Sequence, residues 1–196
     1  MAARPTHNAG IIEIQLPINA GEPGMFLSLR ELVLRKLRFE ETYSPGAIPF
    51  FDDKLRQITP MQVSGVAELL PDTKGEIRVR GHMEVCMEAE CDRCLEPASF
   101  PIDVDFDLYY EPAASLRGEE DAEIDAGASE IGFYVGEGLE LEDILREQVL
   151  LALPMQRICS QECKGICPIC GQNRNFVTCN CRYQQVDDRW AALGRL

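Results

Sequence analysis

Two stretches of the chain alternate between apolar and polar side chains. Ile77, Val79, Met83, Val85 and Met87 alternate with Arg78, Arg80, His82 and Glu84. Phe100, Ile102, Val104, Phe106, Leu108 and Tyr110 alternate with Asp103, Asp105 and Asp107. A period of two puts every apolar side chain on one face, so both stretches read as half-buried β-strands. The segment between them runs Cys91-Asp-Arg-Cys94-Leu-Glu-Pro97. The pair therefore predicts a long β-hairpin with two cysteines near its tip. Shorter strands are predicted at 11–16, with Ile12, Ile14 and Leu16 on one face, at 61–70, and at 131–135. A turn at 71–75 ends the second of these.

Helical spacing occurs twice. Ser28 is placed to cap a helix through residue 39, with Leu29, Leu32, Val33 and Leu37 on one side. A second helix is predicted over 139–151, with Leu141, Ile144, Leu145 and Val149 inward. Glu140, Glu142 and Asp143 suit its N-terminal dipole, and Pro154 stops it. Asp187 or Asp188 can cap a last short helix over 189–196, anchored by Trp190 and Leu193. Residues 111–130 are acidic and poor in large apolar groups, which predicts a mobile loop. The sum is an α+β fold. Residues 1–155 form a mostly antiparallel β core with a few helices and the acidic loop. Residues 156–196 form a cysteine-rich, zinc-knuckle-like module with a short C-terminal helix.

With 45% hydrophobic residues in 196, the chain can build a core without help from metal. It contains no apolar run of membrane-spanning length, and its first residues lack the apolar segment of a signal peptide. Location in the cytoplasm, with no membrane and no small-molecule substrate, is the expectation. The formal charge is −14 and unevenly spread. Residues 156–196 hold six basic and three acidic side chains, a formal +3, which leaves −17 in residues 1–155. Such a body is a poor ligand for phosphate backbones and a better one for a basic protein. If RNA is contacted, the tail or the basic stretch 30–38 is the candidate surface. For that stretch a solvated helix face is the stronger reading, because aromatic residues scarcely interleave it.

The chemistry lies in the nine cysteines. Six fall between Cys159 and Cys181, as Cys159-x3-Cys163-x3-Cys167-x2-Cys170-x8-Cys179-x-Cys181. Thiols two or three residues apart can face one tetrahedral ion. In a reducing compartment metal is favoured over disulfides. Cys167-Pro-Ile-Cys170-Gly has the form of a zinc knuckle, which Cys179 and Cys181 can close. Setting aside Cys86, the remaining four, Cys91, Cys94, Cys159 and Cys163, suggest a second site that staples the tail to the hairpin tip. One or two structural zinc ions are expected. The rival reading is thiol redox chemistry at Cys91 and Cys94, but that needs a helix N-terminus in a βαβ unit, whereas this pair joins two strands. With only His7 and His82 present, no nucleophile–base constellation can be assembled, and a non-enzymatic protein is expected.

Five segments together resemble one family. They are Glu90-Cys-Asp-Arg-Cys-Leu-Glu-Pro97, Arg146-Glu-Gln-Val-Leu-Leu-Ala-Leu-Pro154, the run from Cys159 through Gly-Ile-Cys-Pro-Ile-Cys-Gly-Gln-Asn173, Cys179-Asn-Cys181, and Asp187-Asp-Arg-Trp-Ala-Ala-Leu193. In order and spacing they are similar to the DUF177 or YceD family of large ribosomal RNA subunit accumulation proteins. Asp188 departs from the proline frequent there. Some family members also keep the first cysteine pair without most of the later ones. The resemblance implies a non-enzymatic role in accumulation or processing of 23S rRNA. The partners implied are a large-subunit precursor, a basic ribosomal protein, or both. A direct RNA-binding zinc module, a thiol oxidoreductase and a structural zinc adaptor unrelated to ribosomes are the alternatives.

Overall fold

The computed structural model describes residues 24–114 and 131–181. The strand expected at 11–16, most of the acidic loop and the helix expected at 189–196 lie outside the described residues. The long hairpin is the centre of the fold. β5 (Ile77–Glu90) and β6 (Pro97–Pro112) pair antiparallel over fourteen residues, from Ile77 opposite Tyr110 to Glu90 opposite Pro97. β4 (Met61–Leu69) pairs with the first half of β5, and β2 (Leu37–Tyr43) pairs with β4. The short β3 (Leu55–Gln57) continues the line of β4 along the far half of β5. β7 (Ile131–Tyr134) joins the other side, parallel to the end of β6. A separate two-stranded ribbon pairs β1 (Phe26–Ser28) with β8 (Gly138–Glu140). The class is α+β with a mostly antiparallel sheet.

Alternation does what it predicts in the hairpin. Ile77, Val79, Met83, Val85 and Met87 are buried, as are Ile102, Phe106 and Tyr110. Helix α2 (Leu141–Ala152) contributes Leu141, Ile144, Leu145 and Val149 to the same core. Its helical pattern gives way at Leu153, whose backbone is already extended before Pro154. Leu139, read as helical from its spacing, belongs to β8 instead.

The helix expected over 28–39 is the main correction. α1 spans only Leu29–Leu32, and Leu37 and Phe39 lie on the inner face of β2. A helix through residue 39 would bury Val33, yet Val33 and Leu34 are exposed. Pairing with β4 buries Leu37, Phe39 and Tyr43 at a spacing of two, and that burial outweighs local helical preference. The basic stretch is also largely neutralised within the chain. Arg30 pairs with Glu137, Arg35 with Glu31, and Lys36 with the buried Glu68.

One row across the sheet runs Phe39, Gly65, Gly81, Phe106 on neighbouring strands β2, β4, β5 and β6. The two aromatic rings close over the paired glycines from either side. A Cβ on Gly81 would sit 2.5 Å from the Ser64 carbonyl oxygen and 2.8 Å from the Phe106 ring. Gly81→Ala should therefore lower stability by about 1–3 kcal/mol, the usual cost of overpacking a filled core. Urea denaturation measures it, and a midpoint equal to that of the parent chain would contradict this packing.

Candidate metal centres

Eight of the nine cysteines form two groups of four. Cys91, Cys94, Cys159 and Cys163 make one group, and Cys167, Cys170, Cys179 and Cys181 the other. Within each group all sulfurs lie within 4.8 Å of one another. All nine cysteines are unbridged. Cys86 stays apart on β5, its amide held by the Thr59 hydroxyl at 2.8 Å.

The first group forms where the tail crosses the hairpin tip. Cys91 and Cys94 sit in the turn between β5 and β6, with the Cys91 amide donating to the Glu96 carbonyl at 2.9 Å and the Leu95 amide to Cys91 at 2.8 Å. The tail is then zipped on by backbone pairing. The Asp92 amide donates to the Arg157 carbonyl at 2.7 Å, and the Arg157 amide donates to the Asp92 carboxylate at 2.7 Å. The Arg157 guanidinium reaches Asp52 at 3.0 Å. One turn on, the Ile166 amide donates to the Arg93 carbonyl at 2.8 Å. Gly165 has φ +68°, and a side chain there would meet that same Arg93 carbonyl at 2.8 Å. Cys91, Cys94 and Cys163 are buried; Cys159 closes the group from the exposed side.

The second group is a knuckle carried on this strap. Ile166 bridges Asn173, the Cys167 amide donates to the Gln172 carbonyl at 2.9 Å, and the Gly171 amide returns to the Cys167 carbonyl at 2.9 Å. Gly171, at φ +73°, makes the turn that faces Cys170 toward Cys167. Cys179 and Cys181 close the set. Cys167 is its only buried member.

The distances fit an ion shared by four sulfurs. Corners of a tetrahedron about 2.3 Å from a central ion stand about 3.8 Å apart. Cys91 and Cys163 sulfurs are 3.8 Å apart, and Cys94 and Cys159 sulfurs 3.7 Å. Disulfide sulfurs would be about 2 Å apart. Donors also point at the sulfurs. The Cys159 amide reaches the Cys91 sulfur at 3.3 Å, and the Asn175 side-chain amide reaches the Cys163 sulfur at 3.4 Å.

These donors shape the acidity of the thiols. Burial raises Cys91, but amides of Cys159, Arg93 and Cys94 more than offset it and hold the thiol at about 6. At Cys94 the Glu96 amide lowers the thiol, but burial and the neighbouring sulfurs push it up to about 12. In the second group the amides of Cys170 and Ile169 hold Cys167 at about 6, while Cys170 beside it pushes Cys181 up to about 12. Without a cation the first group favours thiolate at Cys91 and Cys163 and penalises it at Cys94 and Cys159, and the second favours Cys167 and penalises Cys179 and Cys181. A divalent ion removes that penalty, so the donor set suits a thiolate-preferring metal.

Spacing marked the eight grouped cysteines but not their supports. Asp92, Arg157, Asn173 and Asn175 carry no sequence signal of their own. Asn175 accepts from the Lys164 amide at 2.7 Å while its NH₂ faces Cys163, and Asn173 reaches Glu96 at 3.3 Å. Arg157 and Asp92 each lie one or two residues from a ligand, the one hint available.

Two bound ions per folded chain are expected on elemental analysis of protein purified without chelator. Cys167→Ser should remove one ion and leave the sheet's amide protection intact. Cys163→Ser should remove the other and loosen the strap from the hairpin tip. Equal loss of both ions in both variants would contradict two independent sites. Protons compete with metal for the thiolates, so acid should release the ions, with occupancy falling steeply as pH drops. A metal-release titration followed with a chromophoric chelator reads this; occupancy unchanged down to pH 4 would be inconsistent with thiolate ligation.

The family model for YceD, described as large ribosomal RNA subunit accumulation protein, matches residues 79–196. An uncharacterized protein of Mycobacterium tuberculosis is 32% identical over 120 residues, covering 60% of this chain and 54% of that protein. YlbN of Bacillus subtilis is 24% identical over 170 residues, covering 86% and 92%. A chloroplastic protein of Zea mays named large ribosomal RNA subunit accumulation protein YCED homolog 1 is 24% identical over 139 residues, covering 58% and 46%. The chain spans about half the length of the mycobacterial relatives it matches. No solved structure matches it. The matched region starts within β5 and takes in the hairpin tip, α2 and both cysteine groups, and on that evidence the chain belongs to the YceD family of large ribosomal RNA subunit accumulation proteins.

Proposed function

We propose that this chain is a non-enzymatic assembly factor of the cytoplasm that supports accumulation of 23S rRNA. On this reading its acidic body holds a basic ribosomal protein, or the large-subunit precursor that contains one. Family membership carries the reading toward the large subunit, and the charge division supports the mode. Residues 1–155 carry a formal −17, against +3 in residues 156–196. Ribosomal proteins are strongly cationic, and complementary fields speed and orient their capture.

Both cysteine groups are proposed to hold zinc in a structural role. Four thiolates without an open position are the donor set of structural rather than catalytic zinc. Zinc would supply charge balance and cross-linking; the chain's own groups orient it, with amides of the hairpin turn and knuckle aimed at the sulfurs. The first site would make the tail and hairpin tip one rigid surface.

The test is sedimentation of tagged protein on sucrose gradients at low and moderate salt, with fractions probed for 23S precursor RNA. Comigration with large-subunit precursors that weakens as salt rises is the expected result. Protein found only at the top at both salts would overturn the assembly reading; comigration insensitive to salt would overturn its electrostatic part.

A further inference from the structure

We propose that the open edge of β6 takes up an extended cationic segment of another protein as an additional strand, over residues 103–107. β5 fills one edge of β6 along its length, but β7 pairs with the other edge only from Tyr109 to Pro112. Among the described residues no strand pairs with that edge between Pro97 and Leu108.

The phase of the backbone shows which groups this edge offers. The Cys86 amide donates to Thr59 at 2.8 Å and its carbonyl accepts from Ile58 at 3.0 Å, so the backbone of Cys86 faces away from β6. Pro101 stands opposite Cys86 and therefore faces away from β5. Alternation then turns the amides and carbonyls of Asp103, Asp105 and Asp107 to the open edge. Pro101 has no N–H to offer and bounds the stretch at one end; among the described residues β7 takes up the edge from Tyr109 at the other.

The side chains of this stretch specify what can pair there. On the outer face the Asp103 and Asp105 side chains are 76% and 91% exposed, and among the described residues their ion-pair partner is His82. Glu84, opposite Asp103 on β5, adds a third carboxylate. Asp107 is engaged by Arg78 through two bonds of 2.8 and 2.6 Å. On the inner face Val104 and Leu108 are only partly buried, against the core. Side chains directly opposite in neighbouring strands share a face, so this edge matches a strand that alternates cationic and apolar residues. A second copy of this chain would set Asp105 against Asp105, so the same carboxylates that attract a basic segment repel self-pairing.

This deepens the assembly reading and rests on it for the identity of the partner, but the edge can be tested alone. The probe is a synthetic heptapeptide alternating Lys and Val, added to the metal-loaded full chain. Its counterpart carries a methyl group on every backbone nitrogen, which keeps the charge and abolishes strand pairing. The parent peptide should bind at least tenfold more tightly than the methylated one. It should protect the amides of Asp103, Asp105 and Asp107 from hydrogen exchange, and lose at least fivefold in affinity to the Asp103→Asn/Asp105→Asn double variant. Failure of the parent peptide to bind, or equal binding of both peptides, would overturn the inference. So would amides already protected in the free chain, which would mean that another part of this chain fills the edge. Gradient comigration of the unaltered chain without peptide binding would leave the assembly reading standing and sink only this one. Peptide binding without comigration would do the reverse.

Discussion

Everything described here hangs on the register of one hairpin. Fourteen residue pairs between β5 and β6 fix which side chains face the core and which face solvent. A slip of one residue would turn Ile77, Val79, Met83, Val85 and Met87 outward and bring Arg78, Arg80 and Glu84 in, at a cost no local preference could offset. The same register sets Gly81 between Gly65 and Phe106, allowing the aromatic rings to close over a row with no side chains of its own. It also delivers Cys91 and Cys94 to a turn that leaves several amides free to face sulfur.

The hairpin tip is where the body of the chain meets its tail. Backbone bonds between Asp92 and Arg157 and between Arg93 and Ile166 bring the strap across the turn before any metal is considered. The thiols then lie at the edge length of a tetrahedron. Cys91, Cys163 and Cys167 are held low by N–H groups, whereas Cys94, Cys159, Cys179 and Cys181 are pushed up by burial and neighbouring sulfurs, so the geometry is built for an ion that neutralises the cluster. The two groups differ in surroundings. The first is roofed by the sheet end and the strap, whereas the second stands on the strap with Cys170 and Cys181 exposed.

Charge is organised on the same scaffold. Three of the four cations of the stretch 30–38 pair with Glu31, Glu68 and Glu137, which leaves little for a phosphate backbone. The outer face of β6 keeps Asp103 and Asp105 almost fully in water. Exposed carboxylates along a strand repel their own kind and favour cations.

What the sequence determined by itself was whatever repeats at short range. Alternation between 77 and 110 specified the hairpin, and the i, i+3, i+4 spacing of Leu141, Ile144, Leu145 and Val149 specified α2. Cysteine gaps of one to three residues marked the eight cysteines that the fold gathers into two groups of four. Local pattern was ambiguous over 28–39, where leucines suit a helix as well as a strand; only the presence of β4 as a partner decided for β2. The short β1, β3 and β8, of three residues each, carry too little pattern to be seen without their neighbours. The supports of the metal centres were illegible for the same reason. Asp92 and Asn175 act on sulfurs or strap atoms brought near by folding, and among the described residues the pairing of β7 with β6 runs only from Tyr109 to Pro112. Contacts between residues distant in the chain depend on the packed arrangement of the sheet, and that information is nowhere written in the neighbourhood of any one residue.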